Sequence, residues 1–346
     1  MSEKFLPGVI DDDDDDDDDD RSREQNATLR AMSTTLTTTT RASNAFHAFP
    51  RATRFSNAQS RGVRMEHPRA SLASSPSDGL VLPGDTVVVI GANGGVGQLV
   101  CARLASAGYD VTALTRRSAE FEAEALNARG LSGNVERRGG VDCRDAKALA
   151  TSKAFENVDA VVCCLGTTAF PSKRWRDVDG SWTNGPRETD FESVRNVVDV
   201  IKRKSPKCKR FVMVSSVGVL RTNVMPFIIL NAFGVLKCKR QGEEYVERSG
   251  LNFTLLRPGR LTDGPYTSFD LNTLLKATSG TRRKVQIGGG DDVLLPEATS
   301  RLVVAEAACA ALACAATVNR AYELGSTEGD GPGSNLEKWS ELFHSV

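Results

Sequence analysis

Residues 87–97 read Val87-Val88-Val89-Ile90-Gly91-Ala92-Asn93-Gly94-Gly95-Val96-Gly97, and this stretch decides the fold. A run of β-branched residues leads directly into a glycine-rich turn, and an apolar helical pattern follows. A strand, a tight turn and a helix in this order bring backbone N–H groups and the positive end of a helix against a pyrophosphate. We therefore predict a dinucleotide site. Its phosphate-binding residues are expected to be Gly91, Asn93, Gly94, Gly95, Val96 and Gly97.

The second strand of this unit indicates which dinucleotide binds. An NAD-binding unit usually has Asp or Glu about 20 residues beyond its glycines, where the acid binds the ribose 2′-hydroxyl. The corresponding segment, residues 113–117, contains no acid and ends in Arg116 and Arg117. Guanidinium groups bind phosphate through charge-assisted hydrogen bonds, so the segment favours NADP(H) over NAD(H). The alternative is that both arginines are ordinary solvated residues at the start of a loop.

Residues 1–75 differ in composition from the rest of the chain. Residues 11–20 are an unbroken run of Asp, which we expect self-repulsion to keep disordered. Residues 33–65 contain no acid and are rich in Ser, Thr, Ala and Arg, which is typical of an organelle transit peptide. We expect residues 1–31 to be an acidic extension or a gene-model artefact, with translation starting at Met32, and residues 32–75 to be a transit peptide. The alternative is a disordered tail with no targeting role.

Composition excludes several other classes of protein. Lys and Arg total 44, as do Asp and Glu. The acidic run at residues 11–20 and the acid-free, Arg-rich residues 33–65 lie outside the folded part, which is therefore only mildly basic. We expect no nucleic-acid surface. The eight cysteines form no C-x-x-C pair, and most lie in apolar runs. We interpret them as reduced core thiols and expect no metal site. No apolar run reaches the roughly 20 residues of a membrane span.

Apolar runs alternate with helical patterns from about Pro83 onward. Strands that read as continuous apolar runs are typical of a parallel sheet covered on both faces. We predict an α/β fold, a doubly wound parallel sheet of the Rossmann type over residues 76–346, with a small C-terminal substrate lobe over about 258–346. The predicted strands are 85–90, 111–115, 134–138, 159–164, 209–215 and 252–257. The predicted helices are 96–107, 118–128, 145–153, 188–204, 233–249, 300–317 and 335–345.

Short motifs follow the predicted strands and lie in the later helices. Beyond the glycine turn they are Asp142, Cys164-Leu165-Gly166, Val214-Ser215-Ser216, Lys239-x-x-x-Glu243 and Arg257-Pro258-Gly259. In these motifs the chain resembles the atypical short-chain dehydrogenase/reductase family, a single-domain NAD(P)H-binding Rossmann group, over about residues 84–345. Residues 166–175 and 260–266 look like a plant and algal plastid subgroup of it. The resemblance, with the transit-peptide composition, implies a location in the chloroplast stroma.

The resemblance implies roles at the adenosine end of the cofactor. Asp142 would meet the adenine amino group. Gly166, together with Cys164 and Leu165 before it, would lie against the adenosine ribose.

The resemblance also implies roles at the nicotinamide end. Lys239 would bind the hydroxyls of the nicotinamide ribose. Ser216, next to Ser215, would orient a substrate carbonyl, and the backbone of Pro258 and Gly259 would touch the carboxamide. Such groups hold the nicotinamide near the acceptor, and the cofactor supplies the redox chemistry.

The chain departs from the family pattern at the proton donor. The family's reductases normally use a tyrosine four residues before the lysine as a general acid, and that position is Val235 here. Tyr266, Ser216 and Lys239 are the remaining candidates for a catalytic role. The alternative is that Tyr266 is an ordinary loop aromatic, Ser216 a turn residue and Lys239 a solvated cation.

Two functions follow from these observations. The first is an NADPH-dependent plastid reductase of a small metabolite, flavin or quinone-like acceptor. The complete set of cofactor motifs and the apolar residues 226–236 beside the predicted site favour it. Flavins and quinones take a hydride without a strong enzyme acid, which suits the missing tyrosine. The second is a non-catalytic NADP(H)-binding protein that senses redox state or serves as a scaffold for protein partners in a plastid complex, which the missing tyrosine favours.

Overall fold

The computed structural model describes residues 79–116, 135–177, 179–261, 281–290 and 298–346. The predictions for residues 1–75, the helix over 118–128, Arg117 and Tyr266 lie outside these ranges. Chain contacts divide the protein into Met1–Ala70 and Ser71–Val346, and the second unit contains all of the described residues.

One mostly parallel sheet forms the centre of the fold. Its order is β3-β2-β1-β4-β5-β6-β8-β7, in which every neighbouring pair is parallel except β7 and β8. The strands are β1 (Thr86–Ile90), β2 (Asp110–Leu114), β3 (Val135–Arg138), β4 (Ala160–Cys163), β5 (Arg210–Val214), β6 (Phe253–Pro258), β7 (Lys284–Gly288) and β8 (Arg320–Thr327). The predicted Rossmann-type α/β fold is confirmed.

Helices cover both faces of the sheet. They are α1 (Gly95–Ser106), α2 (Ala146–Thr151), α3 (Ser193–Lys204), α4 (Phe227–Leu230), α5 (Val235–Glu247), α6 (Arg301–Ala313) and α7 (Leu336–His344). A π-helical turn, Arg187–Glu192, leads into α3. Helices α1, α6 and α7 pack on one face and α2, α3 and α5 on the other.

Strand β1 shows why the sequence folds in this way. Val87 and Val89 enter the core with α1 and α6, whereas Val88 and Ile90 enter the core with α3. All four are at most 1% exposed. Because successive strand residues point to opposite faces, a strand buried on both sides needs a continuous apolar run.

The strand order reverses at β1, which lies between β2 and β4. In open α/β sheets, ligands bind outside the carboxyl ends of the strands at such a switch point. The glycine turn follows β1 directly. The fold therefore places the turn where a dinucleotide is expected.

In the described ranges the sheet has eight strands, two more than the six predicted. β8 pairs with β6, and β7 lies outside it, so the described part of the C-terminal segment widens the main sheet. β8 carries buried polar residues, Glu323 and Ser326, in place of an apolar run. Ser326 Oγ accepts a hydrogen bond from the backbone N–H of Ser300 at 2.8 Å. A buried strand that carries polar side chains has no continuous apolar signature.

Candidate dinucleotide-binding site

Two glycines shape the turn between β1 and α1. Gly91 has a φ of +74°, which favours glycine, and a β-carbon there would stand 2.9 Å from the carbonyl oxygen of Cys164. A β-carbon at Gly97 would stand 2.2 Å from the carbonyl oxygen of Gly91. Helix α1 therefore approaches β1 closely only because Gly97 has no side chain.

The first turn of α1 has the properties of an anion site. The first four backbone N–H groups of a helix have no acceptor within it. The first turn of α1 contains no acidic residue, and its N-cap, Gly94, makes no side-chain cap. The turn itself is fixed, because Gly94 N–H donates to the Gly91 carbonyl at 2.9 Å and Gln98 Nε2 donates to the Asn93 carbonyl at 2.9 Å. These residues fit a dinucleotide pyrophosphate.

Arg116 and Asp142 lie at neighbouring strand ends, after β2 and β3. Arg116 Nη1 donates to Asn184 Oδ1 at 2.9 Å. Both carboxylate oxygens of Asp142 accept from Arg144, with Nη2 to Oδ2 at 2.5 Å. Burial raises the pKa of Asp142, but the hydrogen bonds and charge of Arg144 outweigh it and hold that pKa below its usual value. Neither Asn184 nor Arg144 belongs to a motif that was predicted from the sequence.

Lys239 forms a buried ion pair. Its Nζ lies 2.7 Å from Oδ1 of Asp190, and Thr167 Oγ1 donates to Oδ2 of the same carboxylate at 2.5 Å. Lys239 is 7% exposed and Asp190 is 1% exposed. A β-carbon at Gly166 would stand 3.1 Å from Lys239 Nζ, so the predicted ribose-binding glycine lies against the ammonium group.

The position of Asp190 depends on a close packing of helix α5. Asp190 lies in the π-helical turn before α3. A β-carbon at Gly242 would stand 2.7 Å from the Asp190 carbonyl oxygen. Gly242 is three residues from Lys239, so both lie on one helix face. An acid inside a predicted helix gives no periodic signal, and the sequence signal that could have indicated this contact is the glycine inside the predicted helix, Gly242.

A second buried ion pair joins two of the predicted motifs. Arg257 Nε and Nη2 donate to the two carboxylate oxygens of Glu243, each at 2.9 Å. Arg240 Nη1 also donates to Glu243, at 2.9 Å. Glu243 is fully buried and Arg257 is 3% exposed. Bidentate pairs of this kind fix geometry, so Lys239-x-x-x-Glu243 and Arg257-Pro258-Gly259 act as one structural unit.

The loops after β5 and β6 are bonded to each other. The backbone N–H of Val217 donates to the Pro258 carbonyl at 3.1 Å. Ser216 Oγ donates to the Val217 carbonyl at 3.0 Å. Ser215 Oγ is buried and has no hydrogen-bond partner among the described residues. A buried hydroxyl in this state is a candidate for a bond to a ligand.

The backbone N–H of Gly259 is used within the protein. It donates to the carbonyl of Leu324 and to Oγ1 of Thr299, both at 3.0 Å. These bonds attach the loop after β6 to β8. A carboxamide contact at Pro258-Gly259 would therefore use the carbonyl groups of this loop.

In the described ranges, tyrosine hydroxyls bind groups away from Lys239. Val235, four residues before Lys239, is 4% exposed. It packs in an apolar cluster with Val217, Val219, Phe227 and Leu236. The tyrosine hydroxyls donate to the Val81 carbonyl (Tyr109, 3.1 Å), Asp199 Oδ1 (Tyr245, 2.7 Å) and the Ala316 carbonyl (Tyr322, 3.0 Å).

An exposed apolar surface adjoins this cluster. It consists of Leu220, Met225, Ile228 and Phe233, each at least half exposed. The Phe233 ring meets the rings of Phe170 and Trp175 edge-on, with centroids 6.0 Å apart in both pairs. The apolar surface therefore connects helix α4, the start of α5 and the loop after β4.

The model of the NAD(P)H-binding family matches residues 91–314, well over half of the chain. The chain belongs to the NAD(P)H-binding family. The match begins at Gly91 and includes every motif up to Arg257-Pro258-Gly259. The resemblance to the atypical short-chain dehydrogenase/reductases is confirmed.

Curated relatives of this NAD(P)H-binding protein include plant proteins. The chloroplastic protein Tic 62 of Arabidopsis thaliana is 31% identical over 206 residues, which cover 56% of this chain and 30% of Tic 62. Sanguinarine reductase of Eschscholzia californica is 27% identical over 295 residues, covering 75% of this chain and 96% of that enzyme. The chain thus spans less than a third of the length of Tic 62. Chloroplastic relatives suggest a plastid location for the NAD(P)H-binding protein.

Solved structures share the fold. A Bacillus halodurans protein assigned as an NAD-dependent epimerase/dehydratase superposes with a TM-score of 0.54 at 21% identity, covering 76% of this chain and 100% of its own. Among the helices described, none has both the length and the apolar character needed to cross a membrane.

Proposed function

We propose that this chain is an NADPH-dependent reductase of the plastid stroma that acts on a small apolar acceptor, such as a flavin or quinone. The observation that carries the proposal is the surroundings of Lys239. Lys239 is paired with Asp190. Val235, which occupies the position of the family's tyrosine, lies in an apolar cluster.

The proposed roles at the adenosine end start from the phosphates. The N–H groups of residues 95–97 bind the pyrophosphate, and Gly91 and Gly97 allow the close approach. Arg116 binds the 2′-phosphate, which an acid at the same place would repel. Asp142 and Gly166 lie at the adenine and ribose.

The proposed roles at the nicotinamide end belong to helix α5, the π-helical turn and the loops after β5 and β6. Lys239 holds the ribose hydroxyls, and Asp190 fixes the ammonium in place. The orphan hydroxyl of Ser215 supplies a further polar contact, and the Pro258 and Gly259 backbone lies at the carboxamide. When bound, NADPH supplies a hydride.

The apolar side of the site supports the choice of acceptor. Reduction of a simple ketone needs a proton donor beside the oxygen. Flavins and quinones accept a hydride to form delocalised anions that solvent can protonate. Their reduction therefore needs no tyrosine as a proton donor. Val235, with the exposed apolar residues from Leu220 to Phe233, suits a flat apolar molecule. Ser216 remains a candidate to orient an acceptor oxygen, and residues 258–346 are proposed to include its substrate lobe.

A second function is a non-catalytic NADP(H)-binding protein that serves a plastid complex. The exposed apolar side chains favour it, because apolar patches on soluble proteins commonly bind other proteins. Similarity to the chloroplastic protein Tic 62 supports the plastid location in this proposal.

One assay separates the two functions. The purified full chain is mixed with NADPH and a panel of quinones, flavins, enones and simple ketones, and the absorbance of reduced nicotinamide is followed. The reductase proposal expects oxidation with quinones or flavins and little with ketones, and loss of that oxidation in Lys239→Met. NADPH binding without oxidation by any member of the panel would favour the non-catalytic function.

A further inference from the structure

The loop between β4 and the π-helical turn is attached to the adenosine end of the proposed site. Arg144 Nη1 donates to the Thr183 carbonyl at 2.8 Å, and its Nη2 lies 2.6 Å from Asp177 Oδ2. The next residue, Asn184, accepts from Arg116. A chain of hydrogen bonds therefore runs from Asp142 through Arg144, Thr183 and Asn184 to Arg116, and it ties this loop to the ends of β2 and β3.

Asn184 is itself held in one orientation. Its Nδ2 donates to the Arg174 carbonyl at 2.6 Å, and its backbone N–H donates to the Trp175 carbonyl at 3.0 Å. Its Oδ1 accepts from Thr189 Oγ1 at 3.1 Å as well as from Arg116 Nη1 at 2.9 Å. The amide oxygen that meets Arg116 is therefore fixed by contacts on both sides of the side chain.

We infer that Asn184 is a positioning residue for Arg116 and a determinant of NADP(H) preference. The inference rests on the proposed binding of a 2′-phosphate by Arg116. An arginine side chain loses much rotamer freedom when it binds, and a guanidinium that is already oriented loses less. Asn184 uses one of the five guanidinium donors, which leaves donors for a phosphate.

The residue type matters as much as the bond. A carboxylate at this position would also orient Arg116, but it would neutralise the guanidinium and repel a 2′-phosphate. An amide orients the arginine and leaves its positive charge intact. Asn184 therefore supports phosphate binding in a way that aspartate would not.

The test measures equilibrium dissociation constants for NADPH and NADH with the full chain. Asn184→Ala should weaken the affinity for NADPH about fivefold and leave the affinity for NADH unchanged. The loss of about fivefold corresponds to the free energy of ordering one long side chain. Asn184→Asp should weaken NADPH more than Asn184→Ala does. Ser181→Ala, in the same loop, removes side-chain hydrogen bonds to Asp179 Oδ1 and Thr183 Oγ1 and none to Arg116 or Asn184, so its affinity for NADPH should match that of the wild type.

A double variant tests whether Asn184 acts through Arg116. In the Arg116→Ala background, Asn184→Ala should cause no further loss of NADPH affinity. If Asn184→Ala leaves the ratio of the NADPH and NADH dissociation constants unchanged, whether or not both affinities fall, the inference is overturned while the proposed function stands. A wild-type chain that binds NADPH no more tightly than NADH would overturn the proposed cofactor preference and the inference with it.

Discussion

The ammonium of Lys239 lies 2.7 Å from a carboxylate oxygen of Asp190, and both residues are buried. The pair joins helix α5 to the π-helical turn before α3. It places the Lys239 ammonium beside Gly166, which follows the carboxyl end of β4. Two charges in this setting stabilise each other only while both are present.

Removing one charge of the Lys239–Asp190 pair should therefore lower the free energy of unfolding more than removing both charges. Lys239→Met leaves the Asp190 carboxylate buried without its cation, and we expect a loss of about 3–5 kcal/mol in the free energy of unfolding. The double variant Lys239→Met with Asp190→Asn should recover part of that loss. Urea unfolding of the full chain measures both, and a double variant no more stable than the single one would contradict the prediction.

A methyl group at Gly97 should damage the turn. Gly97→Ala puts a β-carbon 2.2 Å from the Gly91 carbonyl oxygen, so α1 must move away from β1. We expect a loss of about 1–3 kcal/mol in stability, as in other overpacked sites, with weaker NADPH binding. Gly290→Ala is the matched control, because a β-carbon there meets nothing within 4 Å. NADPH titration and thermal unfolding compare the two, and wild-type binding by Gly97→Ala would refute this account of the turn.

The stability should depend on pH through Asp142. Its pKa is lowered in the folded chain, so the unfolded chain binds more protons in acid. The stabilisation from the carboxylate is present above its usual pKa of 3.8 and is lost as the pH falls through the lowered value. Wild type should exceed Asp142→Asn in unfolding free energy at neutral pH, with a smaller difference at acid pH. A difference that stays constant with pH would show that the charge of Asp142 contributes nothing.

The bidentate pair between Glu243 and Arg257 should matter more than the exposed pair beside it. Glu243→Gln weakens a fully buried contact and should lower the free energy of unfolding by about 3 kcal/mol. Glu244→Gln is the control, since Glu244 is 36% exposed and pairs with Arg240 at 3.3 Å. The control should change stability by less than about 1 kcal/mol. Equal losses in chemical denaturation would contradict the structural unit described here.

Sequence reasoning predicted the parts of the fold that local patterns encode. The run from Val87 to Ile90 and the glycines after it define a strand, a turn and a helix within a few residues. The same reasoning missed β8, because Glu323 and Ser326 are buried polar residues. An apolar-run criterion finds strands that bury hydrocarbon and overlooks strands whose side chains bind backbone groups.

In the candidate site, too, some residues could be selected from local sequence patterns and others could not. Arg116 was selected from its spacing after the glycine turn, whereas Asp142 and Lys239 were selected because their motifs resemble those of the family. Asn184 and Asp190, which pair with Arg116 and Lys239, lie far along the chain from their partners, and Asp190 is inside an irregular helix. Arg144 lies only two residues after Asp142, in a turn that has no motif of its own. The contacts of Asn184 and Asp190 depend on how the segment after β4 packs against the strand ends. Local sequence periodicity does not predict this packing.

The most direct test of the central claim is a titration of the full chain with NADPH and with NADH, in wild type and in Arg116→Ala. Arg187→Ala, a change at an exposed arginine, is the control. We predict that wild type and the control bind NADPH more tightly than NADH, and that Arg116→Ala loses this preference while keeping its affinity for NADH. Failure of wild type to bind either dinucleotide, or an equal affinity for both, would contradict the account.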